Sequence, residues 1–120
     1  MSFEILSPEE LLHLLSENAA NIEYLGNKKI EARTALTRAE IQISEKESSI
    51  YTTFKNELPA TKLALQIKHA AATQREAVIT ARRAAQQFED QLMILIEKNN
   101  NLKAYLRLRK EEIINNKSHT

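Results

Sequence analysis

Four residues, Leu58-Pro59-Ala60-Thr61, interrupt an otherwise regular heptad rhythm, and that interruption constrains the fold most. Before it, apolar residues recur at alternating steps of four and three; after it, the same rhythm resumes. The residue before a proline is pushed out of helical geometry, while proline itself fits a first helical turn. The pattern predicts an all-α fold: a long antiparallel helical hairpin, coiled-coil in character, with its tip at residues 58–61. One glycine and two prolines in 120 residues leave little room for sheets or many loops.

The first arm is expected over 8–57, after a lead-in of residues 1–7. Ser7 is placed to cap it, Pro8 takes the first helical position, and Glu10 completes a capping box. Leu6 and Leu11 are spaced to form a hydrophobic staple across that start. The seam runs Leu11, Leu15, Asn18, Ile22, Leu25, Lys29, Ala32, Leu36, Ala39, Ile43, Lys46, Ile50; nine of these twelve positions are apolar, as a coiled-coil seam requires. Gly26 is the weak point: it costs about 1 kcal/mol inside a helix, and with Asn27 it could end one helix and start another. The stripe stays in phase across it, which favours a continuous helix.

The second arm is expected over 62–114, ahead of a disordered tail at 115–120. Its seam runs Ala64, Ile67, Ala71, Gln74, Val78, Ala81, Ala85, Phe88, Leu92, Leu95, Asn99, Leu102, Leu106, Arg109, Ile113 without interruption. Folding the arms back on each other pairs positions whose numbers sum to about 117. Leu11 then meets Leu106, Leu15 meets Leu102, Ala39 meets Val78, and Asn18 meets Asn99. Two facing asparagines can satisfy each other and penalise slipped registers. Acids at the start of the first arm (Glu4, Glu9, Glu10, Glu17, Glu23) come beside bases at the end of the second (Lys98, Lys103, Arg107, Arg109, Lys110, Lys117), which favours antiparallel pairing.

A two-helix hairpin has no second layer to bury against, and its open end is too apolar for one seam. Leu11, Leu12, Leu14, Leu15, Leu92, Met93 and Ile96 are the candidate partner-facing residues there. They predict self-association into a four-helix or larger bundle.

Chemistry is harder to place. His13, His69 and His119 have no partners at metal-ligand spacing, so no metal or cofactor is expected. One glycine cannot build a phosphate-cradling loop, and the acids are spread along solvated faces, so the chain reads as a non-enzyme. There is no cysteine, and the longest apolar run, Leu92 to Ile96, is far too short for a bilayer. With no basic leader before Phe3, a cytoplasmic protein without a membrane or small-molecule partner is the expectation. The functional signal is a central basic belt, Lys28, Lys29, Arg33 and Arg38 facing Arg75, Arg82 and Arg83, which nets about five positive charges. Such a belt could follow a phosphate backbone. It could equally be an ordinary solvated helix face. A second basic patch, residues 103–110 around Tyr105, lies beside the acidic N-terminal arm, which would neutralise much of it.

Tyr24-Leu25-Gly26, Ala39-Glu40, the run from Glu47 to Lys55, the Leu-Pro-Ala-Thr turn, Arg75, Ala81-Arg82 and the late Leu-Lys-x-x-Leu-Arg run resemble small coiled-coil proteins of tailed-phage and prophage early regions. Those proteins often neighbour single-strand annealing proteins and single-stranded DNA-binding proteins. The likeness covers most of the chain and brings no catalytic residue with it. It implies an accessory role in DNA recombination or replication inside a bacterial host, with single-stranded DNA or one of those proteins as partner. The alternative is a protein-interaction module (an inhibitor, adaptor or chaperone) working through the apolar open end. Absence of tryptophan argues against the secreted Trp-x-Gly hairpins, and the strand-free tip argues against prefoldin subunits.

Overall fold

The computed structural model describes residues 6–118. It is an all-α helical hairpin with three helices in chain order, α1 (Pro8–Phe54), α2 (Ala60–Ala70) and α3 (Ala72–Ser118). No strand occurs among the described residues.

The start of α1 forms as the sequence dictates. The Glu10 amide donates to Ser7 Oγ at 3.1 Å, and the Leu11 amide donates to the Ser7 carbonyl at 2.9 Å. Leu6 packs against the cluster that holds Leu11, so the staple is in place. Glu9 and Glu10 sit in the first turn, at the positive end of the helix dipole. The helix then passes through Gly26 without a break, and that residue keeps a negative φ.

The tip is longer on its first side than the proline alone predicts. α1 ends at Phe54 rather than near Glu57. The amides of Glu57 and Leu58 both turn back to the Phe54 carbonyl, at 3.0 and 3.1 Å. Pro59 drives Leu58 out of helical geometry, and the unwinding spreads back over the preceding turn. Pro59 is the N-cap of α2 (φ −61°, ψ 154°), and its carbonyl accepts from the Leu63 amide at 2.9 Å.

The second arm is two helices, not one. Ala71 leaves helical geometry (φ −95°, ψ 8°) and separates α2 from α3. Arg75 Nη1 reaches the Lys68 carbonyl at 3.5 Å, the group a continuous helix would have bonded to the Ala72 amide. The seam departs from the expected one at a single place: Leu63 is buried and Ala64 exposed, whereas Ile67, Ala71, Gln74, Val78, Ala81 and Ala85 keep it. At the other end α3 continues to Ser118, so residues 115–118 are helical rather than a disordered tail. No glycine or proline stands there to stop the helix. Residues 1–5 and 119–120 of the lead-in and tail lie outside the described residues.

Two compact units divide the chain, residues 1–27 with 89–120, and residues 28–88. Unit 1 is built on Leu11, Leu102 and Leu106, with Leu6, Leu14, Leu15 and Tyr105 packed against them. Burying a leucine is worth about 1.5–3 kcal/mol, so these three dominate that unit. Arg109 Nη1 donates to the Leu6 carbonyl and ties the end of α3 to the lead-in. Unit 2 buries smaller side chains: Ala39, Leu63, Ala71, Val78 and Ala85.

Candidate interaction faces

A helix turns about 100° per residue. A side chain one position after a seam residue therefore points to one flank of the hairpin, and one position before it points to the other. In an antiparallel pair the "after" residues of both helices share a flank. This sorts the candidate residues.

In unit 2 the seven basic residues divide. Arg33, Arg75 and Arg82 follow seam positions, and Lys28 and Arg38 precede them. Lys29 lies in the seam itself, half-buried, and Arg83 stands outermost on α3. Lys28 and Arg75 make local contacts. Lys28 Nζ lies 3.4 Å from Glu31, and Arg75 lies 4.0 Å from Glu47 besides contacting the Lys68 carbonyl. Glu40 and Glu47 share the flank of Arg33, Arg75 and Arg82. The belt expected from sequence is thus not one continuous basic face. Arg33, Arg38, Arg82 and Arg83 are its exposed members.

In unit 1 the candidate partner-facing residues also divide. Leu11 is fully buried, and Leu15 and Leu92 are half-buried in the seam; these serve the hairpin's own packing. Leu14 precedes a seam position and packs against the leucine cluster. Leu12, Met93 and Ile96 follow seam positions and stay 53%, 66% and 40% exposed. They share a flank with Ser16 and Ala19, which are small and exposed. The opposite flank carries Ile94 and Leu108, both exposed and not singled out from sequence. The signal for Leu108 was present in Leu106-x-Leu108, since two leucines two apart cannot both face one seam.

The charges of unit 1 are segregated by helix. Residues 6–27 of α1 and its lead-in carry Glu9, Glu10, Glu17 and Glu23 and no lysine or arginine. Residues 98–110 of α3 carry Lys98, Lys103, Arg107, Arg109 and Lys110 and no acid. The facing charges do not close into ion pairs: among the described residues none joins these two groups, and Glu17 pairs with His13 on its own helix at 2.9 Å. Antiparallel pairing here is fixed by the leucines and the Arg109 contact.

The asparagines occupy the seam but do not complete each other. Asn99 is buried, Asn18 is half-buried, and Asn99 Oδ1 has no hydrogen-bond partner.

The surface hollows are shallow and open. One is lined by Leu6, Glu9, Glu10, His13 and Leu14, another by Leu25, Gln91, Ile94, Leu95 and Lys98, and a third by Ser44, Ser48 and Thr52 with their neighbours. Among the described residues no group of three histidines or acids gathers to hold a metal. No helix there is long and apolar enough to cross a membrane. The chain matches no known family model, no curated protein and no solved structure.

Proposed function

We propose that this protein is a non-enzymatic interaction module, and that its working surface is the flank of unit 1 carrying Leu12, Met93 and Ile96. The observation that carries this reading is the mismatch between core and apolar content. Three leucines form the buried cluster, yet three further large apolar side chains on one flank stay exposed. Exposed apolar side chains gathered on one flank mark interaction sites. The setting is the one the sequence resemblance implies, an accessory to phage DNA recombination in the host cytoplasm.

A second reading, contact with single-stranded DNA, has support of its own in Arg82 and Arg83, adjacent and exposed on α3. Division of the belt between two flanks weakens it. Phosphate contacts weaken steeply with salt.

Immobilised protein in a bacterial lysate tests the pair of readings together. A partner protein retained by the wild type and by Arg82→Glu/Arg83→Glu, and lost from Leu12→Glu/Ile96→Glu, is the expected result. Equal recovery on Leu12→Glu/Ile96→Glu would remove this flank from consideration. Titration with a single-stranded oligonucleotide at two salt concentrations addresses the second reading. Salt-sensitive binding abolished by the arginine reversals would make DNA the ligand.

A further inference from the structure

We infer that the occupant of this flank is a second copy of the same chain, docked so that α1 of each copy lies over α3 of the other. The inference rests on the interaction reading above and names its partner.

Two observations lead there. The first is shape. Along the flank, bulk and small size alternate between the helices: Met93 and Ile96 project from α3, while Ala19 and Gly26 leave α1 low. Consider a two-fold axis parallel to the helices. It sets each α1 at the same height as its own copy's pairing register, so residue n of one copy meets a position near 117 − n of the other. Met93 then enters the space over the partner's Gly26, and Ile96 the space over its Ala19. Leu12 rests on the partner's aliphatic lysine and arginine stems near Lys103 and Arg107. The contact is isologous and closes as a dimer.

The second is charge. An acid-only stretch of α1 lies beside a base-only stretch of α3, and among the described residues the two are not joined by ion pairs. Docking α1 on α1 or α3 on α3 would oppose like charges. Docking α1 on α3 brings Glu9 of each copy toward Arg107 and Lys110 of the other. Segregated charge of this type selects orientation more than it adds affinity. All four helix neighbours are then antiparallel, the arrangement of an up-down four-helix bundle.

Solution mass tests this on the full chain, with far-UV circular dichroism as the check on folding. Wild type is expected at twice the chain mass, and Ile96→Glu at the single mass with helicity kept. The decisive variants are Glu9→Lys and Arg107→Glu/Lys110→Glu. Each alone opposes like charges at both contacts and is expected at the single mass. Mixed one to one, they present opposite charges at both contacts, and the double mass is expected to return as a mixed dimer. That rescue also answers the objection that either variant is merely misfolded. A wild type of single mass at every concentration would overturn the inference and leave the lysate result standing for a different partner. A double mass that survives Ile96→Glu would place self-association elsewhere and overturn it as well. Failure of the mixture to pair would overturn the arrangement of α1 over α3.

Discussion

Units 1 and 2 are made from the same two arms and the same heptad rhythm, yet they solve packing differently. Unit 1 buries leucine against leucine, with Leu11, Leu102 and Leu106 at its centre. Unit 2 buries Ala39, Ala71 and Ala85 with one valine and one leucine. Each buried carbon is worth about 0.8 kcal/mol, so an alanine seam gathers far less apolar stabilisation per layer. It gains instead from local contacts such as Arg75 with Glu47 and with the Lys68 carbonyl. A bulky seam holds more energy in fewer residues, although both units leave large apolar side chains exposed, Leu12, Met93 and Ile96 in unit 1 and Ile30, Ile41 and Leu65 in unit 2. Regular periodicity therefore specifies where helices touch, while residue size decides how much apolar area each layer of the seam buries.

The largest effect should separate the units directly. Leu102→Ala removes a fully buried side chain and should cost about 2–5 kcal/mol, as large-to-small core changes do. Val78→Ala in unit 2 deletes two buried carbons and should cost roughly 2 kcal/mol. Denaturant melts followed by circular dichroism give both numbers. Hydrogen exchange should show Leu102→Ala loosening amides of unit 1 first. Equal costs, or exchange rising equally everywhere, would break the distinction between a concentrated and a distributed core.

Much of this was legible from residues alone. Ser7-Pro8-Glu9-Glu10 announced the start of α1, and the structure shows the Ser7 cap in place. The seam positions of α1 are buried or half-buried apart from Lys46, which is exposed. Gly26 inside the helix was readable from phase, because a true break would have shifted the stripe. The break at Ala71 was not readable. Alanine is the best helix former, and nothing at Ala70-Ala71-Ala72 signals a stop. Ile67 before the break and Gln74 after it both keep the seam, so the phase of the apolar stripe gives no sign of it either. The basic belt divides between flanks because of helical phase. Net charge along the chain was counted correctly, but a rotation of about 100° per residue sends neighbours such as Arg82 and Arg83 in different directions.

A smaller effect is expected where polarity enters the seams. Asn99 Oδ1 in unit 1 and Gln74 Oε1 in unit 2 are both buried atoms without a hydrogen-bond partner. An unsatisfied buried group costs about 1–3 kcal/mol, so Asn99→Leu should raise the denaturation midpoint. Gln74→Leu should raise it less, because the Gln74 side chain is only half-buried. The gain carries a loss of register specificity, which should appear as broader exchange behaviour near Asn18. A falling midpoint in Asn99→Leu would mean the amide is satisfied in solution, and the seam of unit 1 would then be polar by use rather than by tolerance.

Gly26→Ala should have the smallest effect, and it links core and flank. The residue is helical with negative φ, and a Cβ built there meets nothing within 4 Å. Alanine should therefore stabilise by up to about 1 kcal/mol through helix propensity alone. Within a single chain there is no steric reason for any loss. Gly26 follows the seam residue Leu25, so it lies on the flank of Ala19 and Ile96. A melt at low protein concentration should show the gain in full. If raising the concentration turns that gain into a loss, the bare Cα is being approached by something the single chain lacks. Dependence on the protein's own concentration identifies that something as a second copy. A gain independent of concentration would confine the glycine's effect to α1 and set it outside any interface.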